Sequence, residues 1–176
     1  VKINISNSSC NADEVFDFVP ALANNKIISK FKNSDVSIST KASGTINNLM
    51  VEDLEVSILQ KTYLKARGRL TGIMTSANPE FNASIEKFST NQHDVFMFAD
   101  RKKMGDLKFP ESVSVKGSIS TKNNACRGDL QFTTAYGFIS SDAFYKLRNN
   151  VQPDSFNIIF NARDLLAGVI LNDTML

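Results

Sequence analysis

Tryptophan is absent from this chain, histidine occurs once and cysteine twice. Each scarcity removes a class of function. One histidine and two distant cysteines, Cys10 and Cys126, supply no ligand cluster for a metal. Asp13, Glu14 and Asp17 lack the spacing of a calcium loop, and helix capping accounts for the first two. With three Tyr and no Trp, there is little on which a sheet would stack sugars or bases. No glycine-rich phosphate loop and no nucleophile elbow is present. His93 lies beside Asp94, and a serine would have to join them in space. No catalytic residue, metal or cofactor is assigned, and the chain reads as non-enzymatic.

No apolar run approaches the roughly 18 to 20 residues that a membrane-spanning helix needs. No signal peptide stands at the start. The chain opens on Val1 and closes on Leu176 inside an apolar alternation. That reads as a piece of a longer protein, with any anchor or targeting segment outside it. The net charge of +2 is too small to point to nucleic acid. The densest basic cluster, Arg101-Lys102-Lys103, reads as a solvated loop.

What the chain has is alternation. Val36-Ser37-Ile38-Ser39 runs apolar, polar, apolar, polar. Leu54 to Ile58, Phe81 to Ile85, Val113 to Val115, Leu130 to Thr133 and Phe156 to Phe160 behave alike. Period two marks half-buried strands, each with one apolar and one Ser/Thr/Asn/Lys face. Antiparallel pairing suits that pattern better than a parallel sheet buried on both faces. Gly44, Gly68, Gly72, Gly117, Gly128, Gly137 and Gly168 punctuate it, several inside strands, where glycine marks bends or close approach. Ile46-Asn47-Asn48-Leu49 breaks the alternation by one residue, as a bulge does.

Three short helical signals interrupt the strands: Asn11 to Phe16, Asn91 to Phe96 and Asn161 to Leu166. Each opens on Asn, a good N-cap. Each carries an acid three residues later, favourable at a helix start, and then turns apolar. They recur roughly every 70 to 80 residues, which suggests stacked repeats. The units are 1–80, 81–160 and a third, truncated one from 161 to 176. Cys10 and Cys126 fall at different points of this repeat, so they are not expected to pair. Phe16, Phe18, Phe96 and Phe98 are expected to pack in the capped turns. A fourth helix is expected over Asp142 to Leu147, after Ser141.

Six stretches carry a family resemblance. They are NADEVFDFVP at 11–20, ASGTINNLMVEDLEVSI at 42–58 and TYLKARGRLTGI at 62–73. A second copy follows as ASIEKFSTNQHDVFMFAD at 83–100, FPESVSVKGSIS at 109–120 and GDLQFTTAYGFIS at 128–140. In order and spacing they resemble the repeated β region of the translocation and assembly module family, TamB and its AsmA-like relatives. Pro20 fits the family's proline after the apolar turn, Pro110 comes late, and nothing equivalent follows Leu166.

The resemblance implies a strongly curved, mostly antiparallel sheet, open along one side like a taco, with an apolar concave face. The parent protein would be anchored in the inner membrane and cross the periplasm. It would conduct phospholipid to the outer membrane and support outer-membrane assembly with a β-barrel partner. Phospholipid acyl chains would then be the ligand. The expected lining is Val36, Ile38, Ile46, Leu54, Val56, Ile58, Leu70, Phe81, Ile85, Val113, Val115, Ile119, Leu130, Phe132, Phe156, Ile158 and Phe160. Alternation alone favours a different arrangement, the dry core of a closed β-sandwich. An adhesin-like surface module binding protein or glycan would suit that core. Uncovered sheet edges would further favour edge-strand dimers of the fragment.

Overall fold

The computed structural model describes residues 2–12, 14, 34–45, 47–72, 79–98, 108–148 and 152–171. Nine strands form one sheet: β1 (Lys2–Asn11), β2 (Asp35–Thr45), β3 (Asn48–Ile58), β4 (Thr62–Thr71), β5 (Glu80–Asn91), β6 (Ser112–Lys122), β7 (Ala125–Thr134), β8 (Gly137–Arg148) and β9 (Gln152–Arg163). They lie side by side in chain order. Every neighbouring pair is antiparallel. β1 and β9 do not pair, so the sheet is not closed. Among the described residues there is no second sheet, and the two layers of a sandwich are not formed.

Among the described residues two helices follow strands, α1 (Gln92–Phe98) after β5 and α2 (Ala167–Ile170) after β9. Ala12 and Glu14, after β1, are also helical. The helical turns thus follow the first, fifth and ninth strands. The chain returns in the same way after the first two. Ala12 N–H donates to Ser34 C=O at 2.9 Å, and Gln92 N–H to Glu111 C=O at 3.0 Å.

Local chemistry explains the connections. Asn123 and Asn124, with φ of 51° and 61°, make the two-residue turn between β6 and β7. Both central residues of such a hairpin turn need left-handed backbone, which Asn tolerates. Gly117, inside β6, has φ of 143°, and a Cβ there would collide with the Asp129 carbonyl of β7.

Three sequence expectations are corrected. Asp142 to Leu147 is not helical; it lies within β8, paired along its length with β7 and β9. Ser141 and the run of Ala, Lys and Leu favour a helix locally, but two flanking strands override that preference. The break expected from Ile46 to Leu49 is not a bulge at its described residues: Asn47 is a turn residue, and Asn48 and Leu49 open β3, Asn48 pairing with Thr45. Register shifts lie elsewhere, among them those between Val51 and Leu54 on β3 and between Ile85 and Phe88 on β5. Asn161 does not cap a helix. β8 holds the strand extended to Arg163, and α2 begins after Leu166 without a side-chain cap. Phe16, Phe18 and the basic cluster at 101–103 lie outside the described residues.

Candidate functional site

Residues that pair across an antiparallel sheet share a face, so the register sorts every side chain. One row across the sheet reads Ile38, Val56, Leu64, Phe88, Val115, Phe132, Ile139 and Ala162. The next reads Thr40, Leu54, Ala66, Ile85, Gly117, Leu130, Ser141 and Phe160. Beyond it come Ala42, Val51, Gly68, Ala83, Ile119, Gly128, Ala143 and Ile158, then Leu49, Leu70, Phe81, Thr121, Cys126, Tyr145 and Phe156. Val36 and Ile58, then Val113 and Thr134, begin the row at the other end.

Sixteen of the seventeen residues expected to line a lipid site fall in these rows, on one face; Ile46 lies outside the described residues. Leu49, Val51, Leu64, Phe88 and Ile139 share the face and were not anticipated. Bulges explain two of the omissions. Val51 and Leu54 are three residues apart yet point the same way, as are Ile85 and Phe88. A strict period of two misses both.

The opposite face is mainly Ser, Thr, Asn, Lys, Arg and acids. Lys65 Nζ lies 2.6 Å from Glu55 and 3.6 Å from Asp53. The Lys65 hydrogen bond holds the Glu55 carboxyl below its ordinary range. Arg127 sits over the Phe144 ring at 5.7 Å. Exposed pairs of this kind contribute little stability, but they mark this as the solvated side.

The aliphatic and aromatic face is thinly covered. Among the described residues only Ala12, Val36, Ala42, Ala66 and Val115 are buried hydrophobics. A hollow of about 190 Å³ opens between Val51, Leu54, Ala66, Leu70, Phe81 and Ala83. Small residues make its floor. Gly128, in the same row, is itself buried, and a Cβ there would still be 3.9 Å from its nearest neighbour. At the β9 edge Phe156 and Phe160 are 72% and 65% exposed.

The most deeply buried side chain is Asp94, at 0% exposure. It accepts the Lys61 N–H at 2.9 Å and the Thr62 hydroxyl at 2.8 Å, and lies 3.4 Å from His93 Nδ1. Its own N–H is capped by Asn91 Oδ1 at 2.7 Å. Burial, the largest single influence, opposes its ionisation. The donors from Lys61, Thr62, His93 and Gln60 outweigh it and hold the carboxyl below its ordinary range. Asp94 thereby clamps α1 to the β3–β4 turn. No serine hydroxyl contacts this pair among the described residues, and its geometry is that of a structural clamp. Among the described residues no group of His, Cys, Asp and Glu is arranged to hold a metal. Both cysteines are free thiols. No described helix is long and apolar enough to cross a membrane.

No protein-family model matches the chain. No curated protein and no solved structure matches it either.

Proposed function

We propose that this chain is a non-enzymatic, lipid-shielding segment of a periplasm-spanning envelope protein, whose curved sheet forms an open trough for phospholipid acyl chains. The observation that carries this reading is the registered face of aliphatic and aromatic side chains, over which the described residues place no second sheet. A dry sandwich core would bury Ile119, Leu130 and Phe132; here all three retain partial exposure. Such a face is costly in water and gains about 0.8 kcal/mol for each buried CH₂ of a lipid tail. Nine strands at about 4.8 Å spacing give rows about 38 Å long, longer than the roughly 30 Å hydrocarbon core of a bilayer. Small residues between large ones give a tail a seat without a fixed polar pocket, so a lipid would slide along the rows. By its resemblance the parent protein would be anchored in the inner membrane, deliver phospholipid to the outer membrane and support assembly there with a β-barrel partner.

A second reading is a surface module that binds protein, or pairs with itself, through its sheet edges. The exposure of Phe156 and Phe160 on β9 favours it.

Site-specific photo-crosslinking in cells separates the two. The crosslinker goes at Ile119 and Phe132, with Ser118 and Gln131 on the opposite face as controls. The expected result is phospholipid adducts at Ile119 and Phe132 alone. Adducts to protein at both, and to lipid at neither, would exclude the trough and leave the binding module.

A further inference from the structure

β1 repeats β5 at an interval of 80 residues. Asn11, which ends β1, corresponds to Asn91, which ends β5. Both strands are bulged at the same place, β1 between Ile5 and Ser8, β5 between Ile85 and Phe88. The residue after each Asn makes the same backbone hydrogen bond to the residue before the next strand. Ile3 and Ile5 stand in the rows of Ala83 and Ile85, reached through Ala42 and Thr40 of β2.

The equivalence fails on one side only. β5 pairs with β6 on one edge and with β4 on the other. β1 pairs with β2 alone, and Lys2 to Ser9 are all exposed. Asp94, three residues after Asn91, grips the β3–β4 turn through Lys61 and Thr62. Glu14, three residues after Asn11, is exposed and has no hydrogen-bond or ion-pair partner among the described residues. From Ile3 to Asn11 the strand has no charge and no proline, the devices that usually guard a free edge. Its bulge is no guard, because β5 carries the same bulge and has a neighbour on each side.

We propose that the β1 edge, together with Glu14, is a docking site for an antiparallel β-hairpin of the β3–β4 kind. The inner strand of that hairpin pairs with β1 as β4 pairs with β5. It carries small residues opposite Ile3 and Ile5, as Gly68 and Ala66 lie opposite Ala83 and Ile85. Its turn presents backbone N–H groups and a hydroxyl to the Glu14 carboxylate, as Lys61 and Thr62 do to Asp94. The docking edge is independent of what occupies the sheet face.

The probe is a peptide of residues 48–72, the β3–β4 hairpin, added to the full chain. Amide hydrogen exchange over residues 3–11 is expected to slow on its addition. Glu14→Ala leaves the chain folded and is expected to weaken binding about tenfold or more, as loss of hydrogen bonds to a charged group does. A peptide carrying Thr62→Val binds less tightly to the parent chain and loses nothing further against Glu14→Ala, the mark of a direct pair. Four results would overturn the proposal. One is no slowing over 3–11, and another is slowing confined to residues 152–163. The third is undiminished binding by Glu14→Ala. The fourth is a β1 edge already protected, without peptide, in a dimer of the chain.

Discussion

Asp94 and Glu14 occupy the same place after the same kind of strand, and they meet opposite fates. Asp94 is fully buried, clamped to the β3–β4 turn. Glu14 stands in solvent. Asn, then an acid three residues on, is present in both turns, so the local code does not make the difference. The neighbour does. A hairpin lies beside β5 and, among the described residues, none lies on the outer side of β1; a buried carboxylate is tolerable only where donors replace its water.

The largest expected effect comes from removing the clamp. Asp94→Ala should lower stability by about 3 kcal/mol, because it strands the Lys61 N–H and takes a charged acceptor from the Thr62 hydroxyl, which keeps only Thr90. Glu14→Ala should stay within about 0.5 kcal/mol, as exposed substitutions do. Urea unfolding of both variants checks the pair, and equal losses would break the comparison. A smaller loss, about 1 kcal/mol, is expected for Asn91→Ala, which removes a cap from α1 and spares the clamp. A loss as large as that of Asp94→Ala would mean that the cap and not the clamp holds the turn.

The smallest effect is a pH limb. The folded chain holds Asp94 below its ordinary 3.8, so below that value the unfolded chain binds more protons. Stability then rises with pH across this interval and is lost as pH falls through the folded value. Acid titration of unfolding should show a shallower limb in Asp94→Asn than in the parent. Identical limbs in the two would assign the acid sensitivity to other carboxylates.

Much of this architecture is legible in the residues. Alternation at Val36 to Ser39 or Leu130 to Thr133 identifies strands because a pleated backbone sends successive side chains to opposite faces. Asn91 and Asp94 identify the start of α1. The same reading fails where partners outweigh local preference. β8 looks helical from Ser141 to Leu147 until β7 and β9 flank it. Asn161 looks like a cap until pairing with β8 carries the strand two residues past it. Val51 and Phe88 belong to the face but escape a strict period of two, because each bulge adds a residue that no period can anticipate.

By itself, then, the sequence determined the chemistry of the two faces and the class of the elements, because both follow from periodicity and short-range hydrogen bonding. It also placed the capped turn at Asn91, which is local. Only the tertiary structure decided that the strands pair in chain order as one unclosed sheet, since the same alternation would serve two packed layers. It decided as well which acid is buried, which rows align across nine strands and which two strands stand at the edges. Those outcomes depend on register and on long-range contacts, and no single segment carries them.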